Sequence, residues 1–113
     1  MRRVDKPWGH EIIWAHTDRY VGKTLHIAQG QALSLQYHVK KDETIYLQSG
    51  RMLLEHFFEG EAPTVTELCP GDTFHIRPFM RHRMTALEDC EVLEASTPEL
   101  DDVVRLEDRY GRV

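Results

Sequence analysis

The chain lacks most features that would mark it for a special environment. It has only two cysteines, Cys69 and Cys90. They are too few and too far apart for a disulfide framework or a zinc ribbon, so reduced packing residues in a cytoplasmic protein are expected. No apolar run approaches the length that spans a bilayer. The opening MRRVDKPWGHEIIWAH has basic residues but no continuous apolar stretch after them, unlike a secretion signal. A membrane partner is therefore not expected. The net charge is −5 and no basic stripe stands out, which argues against nucleic acid. Repeats and low-complexity tracts are absent, and 113 residues leave room for one core.

Helix-period patterning is also scarce. In its place are short runs of alternating apolar and polar residues, punctuated by turn signals. The expected strands are 10–15, 20–28, 32–40, 43–48, 51–58, 64–68, 73–77, 82–86 and 90–96. They are separated by breaks such as Pro7-Trp8-Gly9, Ser49-Gly50 and Pro70-Gly71-Asp72. Roughly nine strands with no helices between them predict a closed all-β barrel or jelly roll. The acidic tail TPELDDVVRLEDRYGRV reads equally as a short helix or a strand.

The stretch Gly30–Gly50 carries the chemistry. Read with period two, Ser34, Gln36, His38 and Lys40 share one face of a strand, and Glu43 shares a face of the next with Ile45 and Leu47. Farther on, His82 is in phase with Met84 and Ala86. Polar groups on apolar faces are costly unless they bind each other or something else. His38, Glu43 and His82 supply two imidazoles and a carboxylate, a set that suits a divalent ion such as zinc, manganese, iron or nickel. Gln36 is a candidate fourth donor. Lys40 stands where a further imidazole would complete the set, and a protonated amine cannot ligate. The alternative is an internal Lys40–Glu43 ion pair that needs no ion. Lys40, Lys41, Arg77, Arg81 and Arg83 gather around the expected cavity and would suit a small anion. His10, His16, His26, His56 and His75 have no partner at useful spacing, and Trp8 and Trp14 read as core or interface aromatics.

Gly30, His38, Glu43 and Gly50, followed by Gly71, Pro78 and His82, resemble the two motifs of the cupins. Lys40 departs at the second histidine, and Arg77 and Phe79 stand where the family often has proline and glycine. The resemblance implies a single-domain cupin jelly-roll β-barrel. Its N-terminal strands would lie in 1–29, the barrel with both motifs in 30–97 and the acidic tail in 98–113. KPWG, LSLQYH, SG, HR and DDVVRLEDRYGR further resemble the cupin domain of type II mannose-6-phosphate isomerases, often fused to a mannose-1-phosphate guanylyltransferase.

That resemblance implies a metal-assisted aldose–ketose isomerisation of a sugar phosphate. Glu43 would be ligand or base, Lys40 or Arg83 would hold the phosphate, and the protein would be a homodimer. The family's Arg-Ala-Glu-His reads Lys41-Asp42-Glu43-Thr44 here, so robust turnover is not expected. Two other readings stand beside it. One is a non-catalytic sugar- or sugar-nucleotide-binding module, and the other a metal cupin with dioxygenase or lyase chemistry.

Overall fold

Eleven strands and no helix occupy the 113 residues, all of which are described in a computed structural model of the chain. They are β1 (Arg2–Lys6), β2 (Gly9–His16), β3 (Val21–Ile27), β4 (Leu35–Tyr37), β5 (Glu43–Ser49) and β6 (Met52–Phe57), then β7 (Thr64–Leu68), β8 (Thr73–Ile76), β9 (Arg81–Ala86), β10 (Cys90–Ser96) and β11 (Val104–Glu107). Every pairing is antiparallel, in a six-stranded sheet of order β1-β2-β3-β10-β5-β8 and a five-stranded sheet of order β11-β4-β9-β6-β7. Chain neighbours such as β4 and β5 thus lie in different sheets, as a jelly roll requires.

The interior follows from period-two alternation. Ile45 and Leu47 on β5, Met52 and Leu54 on β6, Met84 and Ala86 on β9 and Val92 on β10 are buried, while Thr44, Tyr46 and Gln48 face outward. Trp8, Leu25, Ile27 and Ile76 join them in one core between the sheets. Cys90 packs there too, with Sγ 3.2 Å from the Arg51 carbonyl oxygen. Cys69 is exposed, contrary to the expectation of a packing residue.

Two turns aim the strands that matter. At Gly50, φ is +84° and an added Cβ would lie 2.2 Å from the Asp89 carbonyl oxygen, so only glycine fits. The Arg77–Met80 turn closes with Met80 N–H donating to the Arg77 carbonyl at 3.1 Å. Pro78 takes its second position and Phe79, at φ 67°, its third, which normally calls for glycine. Phe79 is held there by its own N–H donating to the His38 carbonyl (2.7 Å) and by stacking on Tyr37.

The tail is a strand followed by a strap over its own barrel. Arg109 donates to the Gly30 carbonyl (2.9 Å) and Tyr110 to Gln31 (2.6 Å). Arg112 clasps Asp108 with both guanidinium arms at 2.9 Å. Those hydrogen bonds, against the opposing effect of burial, hold the Asp108 carboxyl down at about 2. A depressed carboxylate contributes stability that is complete above its ordinary pKa of roughly 3.9 and is lost as pH falls toward the folded value. Asp108→Asn is therefore expected to cost about 1–2 kcal/mol at pH 6. In urea titrations across pH, that gap should close between about pH 4 and pH 2. A gap independent of pH would mean the pair contributes through packing alone.

No helix of the chain is long and apolar enough to cross a membrane.

Candidate functional site

The end of β4, the start of β5 and the second residue of β9 converge between the two sheets. His38, Glu43 and His82 are 3%, 3% and 1% exposed. Their donor atoms lie within 4.8 Å of one another. Glu43 Oε1 is 3.2 Å from His38 Nε2 and 3.4 Å from His82 Nε2. The other ring nitrogens are committed. His38 Nδ1 donates to the Asp102 carbonyl at 2.6 Å and His82 Nδ1 to the Met80 carbonyl at 3.0 Å. Because carbonyls only accept, both Nδ1 atoms carry a ring proton, and each ring turns its Nε2 toward the Glu43 carboxylate.

Three potential ligand atoms thus face one point. Glu43 Oε2 and His82 Nε2 are buried without hydrogen-bond partners. Such an arrangement calls for a cation. With bonds of roughly 2.1 Å, ligand atoms around a divalent ion stand about 3.0–3.4 Å apart, and the two spacings from Glu43 Oε1 fit. Burial opposes ionisation of Glu43, but the imidazoles and the ammonium of Lys41 outweigh it and hold its carboxyl well below the usual range.

Lys40 does not face this site. It is exposed, and Lys41 is the buried lysine. The cause lies in the tail. The Asp102 carboxylate accepts the N–H groups of Val39 (3.1 Å), Lys40 (2.6 Å) and Lys41 (2.8 Å). That capture bends the chain after β4 and breaks the period-two phase, so Lys40 turns out and Lys41 turns in. The internal ion pair anticipated for Lys40 belongs to Lys41, whose Nζ is 3.2 Å from Glu43 Oε2 and 2.9 Å from Glu94 Oε2.

Glu94 extends the cluster. Lys23 lies 3.7 Å from Glu94 and 3.3 Å from Glu11, so buried ammonium groups alternate with carboxylates along the six-stranded sheet. Burial opposes the Lys41 charge, but Glu94 and Glu43 raise its pKa above the ordinary lysine value. Burial first, then the Glu43 charge, pushes the Glu94 carboxyl up to about 7. Its Oε2 lacks hydrogen-bond alignment despite the nearby ammonium. Sequence reasoning missed Glu11, Lys23 and Glu94. The signal was present, since each is in phase with buried apolar residues of its strand, as Glu43 is.

His38, Glu43, Lys41, Glu94, Lys23 and Glu11 line a cavity of about 90 Å³, with Trp8, Leu25, Leu33, Ser34 and Met84 on its walls, while His82 lies behind them and does not line it. Gln36 reaches it, though its Oε1 is engaged by the Ser34 hydroxyl at 2.9 Å. Arg83 does not. It lies on the opposite face of β9 from His82 and is held by Glu55 at 3.0 Å and Glu107 at 3.5 Å. Of the cations expected around the cavity, only Lys41 lines it, and Arg81 stacks over Tyr37 instead. Lys6, Lys23, Arg105 and Arg112 supply the rest of the basic lining. His10, His16, His26 and His75 lie outside the cup, His26 being paired with Glu91 and His75 with Asp42. His56 pairs in register with His82 and hydrogen-bonds Thr66 (2.9 Å).

No family model matches the chain. It is 32% identical over 117 aligned positions to the mannose-1-phosphate guanylyltransferase ManC of Salmonella typhimurium strain LT2. That match covers 99% of this chain but 23% of the relative, so the chain spans about a quarter of the relative's length. Among solved structures, KdgF from Halomonas sp. superposes with a TM-score of 0.74 at 26% identity, covering 89% of this chain and 91% of that one. The capsular polysaccharide assembling protein CapF of Staphylococcus aureus gives a TM-score of 0.78 at 15% identity, over 95% of this chain and 34% of that one. This chain has the cupin jelly-roll fold in one compact domain, and it is similar over nearly its whole length to about a quarter of a mannose-1-phosphate guanylyltransferase.

Proposed function

We propose that the cup binds a divalent metal through His38, Glu43 and His82 and acts on a sugar phosphate as an aldose–ketose isomerase of the mannose-6-phosphate type. The observation that carries this reading is the convergence of His38 Nε2, Glu43 Oε1 and His82 Nε2, each shut away from water. The likeness to ManC supports the substrate class. A bound ion would polarise the substrate carbonyl and lower the cost of proton abstraction beside it. With Glu43 held by the imidazoles, Glu94 is the carboxylate left to move a proton. Its Oε2 has no hydrogen-bond partner and the residue lines the cavity. Lys41 would balance the charge that such a transfer develops.

Protein purified without chelator should carry near-stoichiometric metal. With mannose 6-phosphate in deuterated water it should form fructose 6-phosphate or exchange deuterium at C2. Metal-loaded protein doing neither overturns the isomerase. A binding module is the second reading. It is favoured by Lys41, whose ammonium stands 3.2 Å from Glu43 Oε2 and balances its charge without an ion. Sugar binding without metal would establish it. Turnover of a sugar without exchange would point to other metal chemistry.

The exposure of Lys40 changes one expectation. Lys40→His should leave zinc affinity within about twofold of the parent in calorimetry, because the side chain points to solvent. A tenfold tightening would show that the bend after β4 re-forms to bring the ring inward. We also place the protein in the cytoplasm, in keeping with its free thiols, and as a homodimer. Exposed Trp14, Tyr20 and Tyr46 on the six-stranded sheet and its flanking loop offer an apolar surface for pairing. Sedimentation at micromolar concentration tests this, and a monomer would refute it.

A further inference from the structure

The cup has more cations than its ion pairs use. Lys23 and Lys41 on its floor are matched to Glu11, Glu43 and Glu94, and Arg112 is clasped by Asp108. Lys6 and Arg105 line the same cavity, half-buried, and neither enters an ion pair. The Nε of Arg105 is buried and has no hydrogen-bond partner. A guanidinium donor closed off from water with nothing to donate to is costly unless something comes to it.

The strand register says what could come. Arg105 on β11 stands opposite Gln36 on β4, and Gln36 stands opposite His82 on β9. Residues directly opposed on antiparallel strands share a face. Arg105, Gln36 and His82 therefore form one polar row from the rim to the histidine–glutamate cluster. Neighbouring strands are about 4.8 Å apart, so the row spans roughly 10 Å between its end backbones. Lys6, beside Trp8 at the β1–β2 hairpin, enters from the other sheet.

The half-buried side chains (Lys6, Gln36, Arg105) mark the rim, and the floor is more than nine-tenths buried. That floor holds three carboxylates against two ammonium groups, so it repels an anion, while the rim attracts one. A ligand that fits has a neutral hydroxylated end for the floor and a compact anionic end for the rim. A planar guanidinium with an ammonium opposite suits a phosphate monoester.

We infer that Lys6 and Arg105 form a phosphate-holding subsite at the rim of the cup, on which the phosphate of a phosphorylated sugar is anchored while its hydroxylated end reaches His38 and Glu43. This deepens the reading above and rests on it only for the sugar end. The roles expected of Lys40 and Arg83 pass to two residues that do line the cavity.

Calorimetric titration of the full chain with mannose 6-phosphate, inorganic phosphate and mannose tests it. Arg105→Gln should weaken mannose 6-phosphate and inorganic phosphate about tenfold or more, and Lys6→Gln somewhat less. Neither should change the response to mannose. Arg105→Lys should restore part of the loss, and Arg51→Gln, in an exposed pair away from the cup, should change nothing. Equal binding of mannose 6-phosphate by the parent and Arg105→Gln overturns the subsite, as does a parent that does not prefer it to mannose. Should Arg105→Gln fail to fold, Lys6→Gln on the edge strand decides the matter by the same comparison. Arg105-dependent phosphate binding without isomerisation or C2 exchange keeps the subsite and removes the isomerase. Exchange with an unchanged KM in both variants does the reverse.

Discussion

Lys41→Met is expected to destabilise the fold by about 3–5 kcal/mol, whereas Lys40→Met, one residue earlier, should change stability by less than about 0.5 kcal/mol. The contrast arises because Lys41 is 4% exposed and bridges Glu43 and Glu94, while Lys40 lies in solvent. Methionine fills nearly the same volume, so little of the cost comes from a cavity. What remains is three buried carboxylates, Glu11, Glu43 and Glu94, sharing the cup with one ammonium, that of Lys23. Urea unfolding of both variants at pH 7 checks this. A loss below about 1 kcal/mol for Lys41→Met would show that the cluster neutralises itself by other means, with Glu94 the first group to take a proton. Adding zinc to Lys41→Met sharpens the test. If the ammonium and a metal compete to satisfy Glu43, the ion should recover more stability in the variant than in the parent.

The exchange of Lys40 for Lys41 also shows where pattern reading stops. β5, β9 and β10 were legible because each buries one face and exposes the other, so alternation marks them directly. Glu43 and His82 were legible for the same reason, as polar residues in phase with Ile45, Leu47, Met84 and Ala86. β1 was not, because RRVDK has no buried face and is a strand only through its ladder to β2. Past Tyr37 the phase is set by Asp102, more than sixty residues away, and local alternation cannot report a bend imposed from that distance. The tail posed the same problem in reverse. DDVVRLEDRYGR was singled out by resemblance, yet its role is tertiary. Asp102 shapes the bend and orients His38, Arg105 faces the cup, and Asp108 with Arg112 fastens the strap. Lys6, in the KPWG stretch, was likewise visible as a motif but not as a cavity residue.

His82→Ala carries the second large expected effect, a loss of metal affinity of at least about 100-fold. Removing an outer-shell partner alone typically costs 10–100-fold, and a ligand lost from a three-residue set exceeds that. No neighbour can replace it. Gln36, opposite it on β4, already accepts from Ser34, and His56, opposite it on β6, is held by Thr66 and packs on Phe74. Thermal unfolding with and without zinc or manganese gives the readout, because a ligand that binds only the folded state stabilises it by RT ln(1 + L/Kd), L being the free ligand concentration, and so raises the midpoint according to its affinity. The parent's midpoint should rise with metal, and that of His82→Ala should not. The variant will also unfold earlier in the absence of metal, since the buried ring leaves a void between the sheets. The metal-induced increment, rather than the starting midpoint, is therefore the quantity to compare. His56→Ala makes the control, a half-buried ring in register with His82 whose loss leaves the three donor atoms intact. It should keep the full increment. If His82→Ala keeps it too, then whatever ion the protein binds lies elsewhere, and the three lone pairs at Glu43 are satisfied by an added proton instead of a metal.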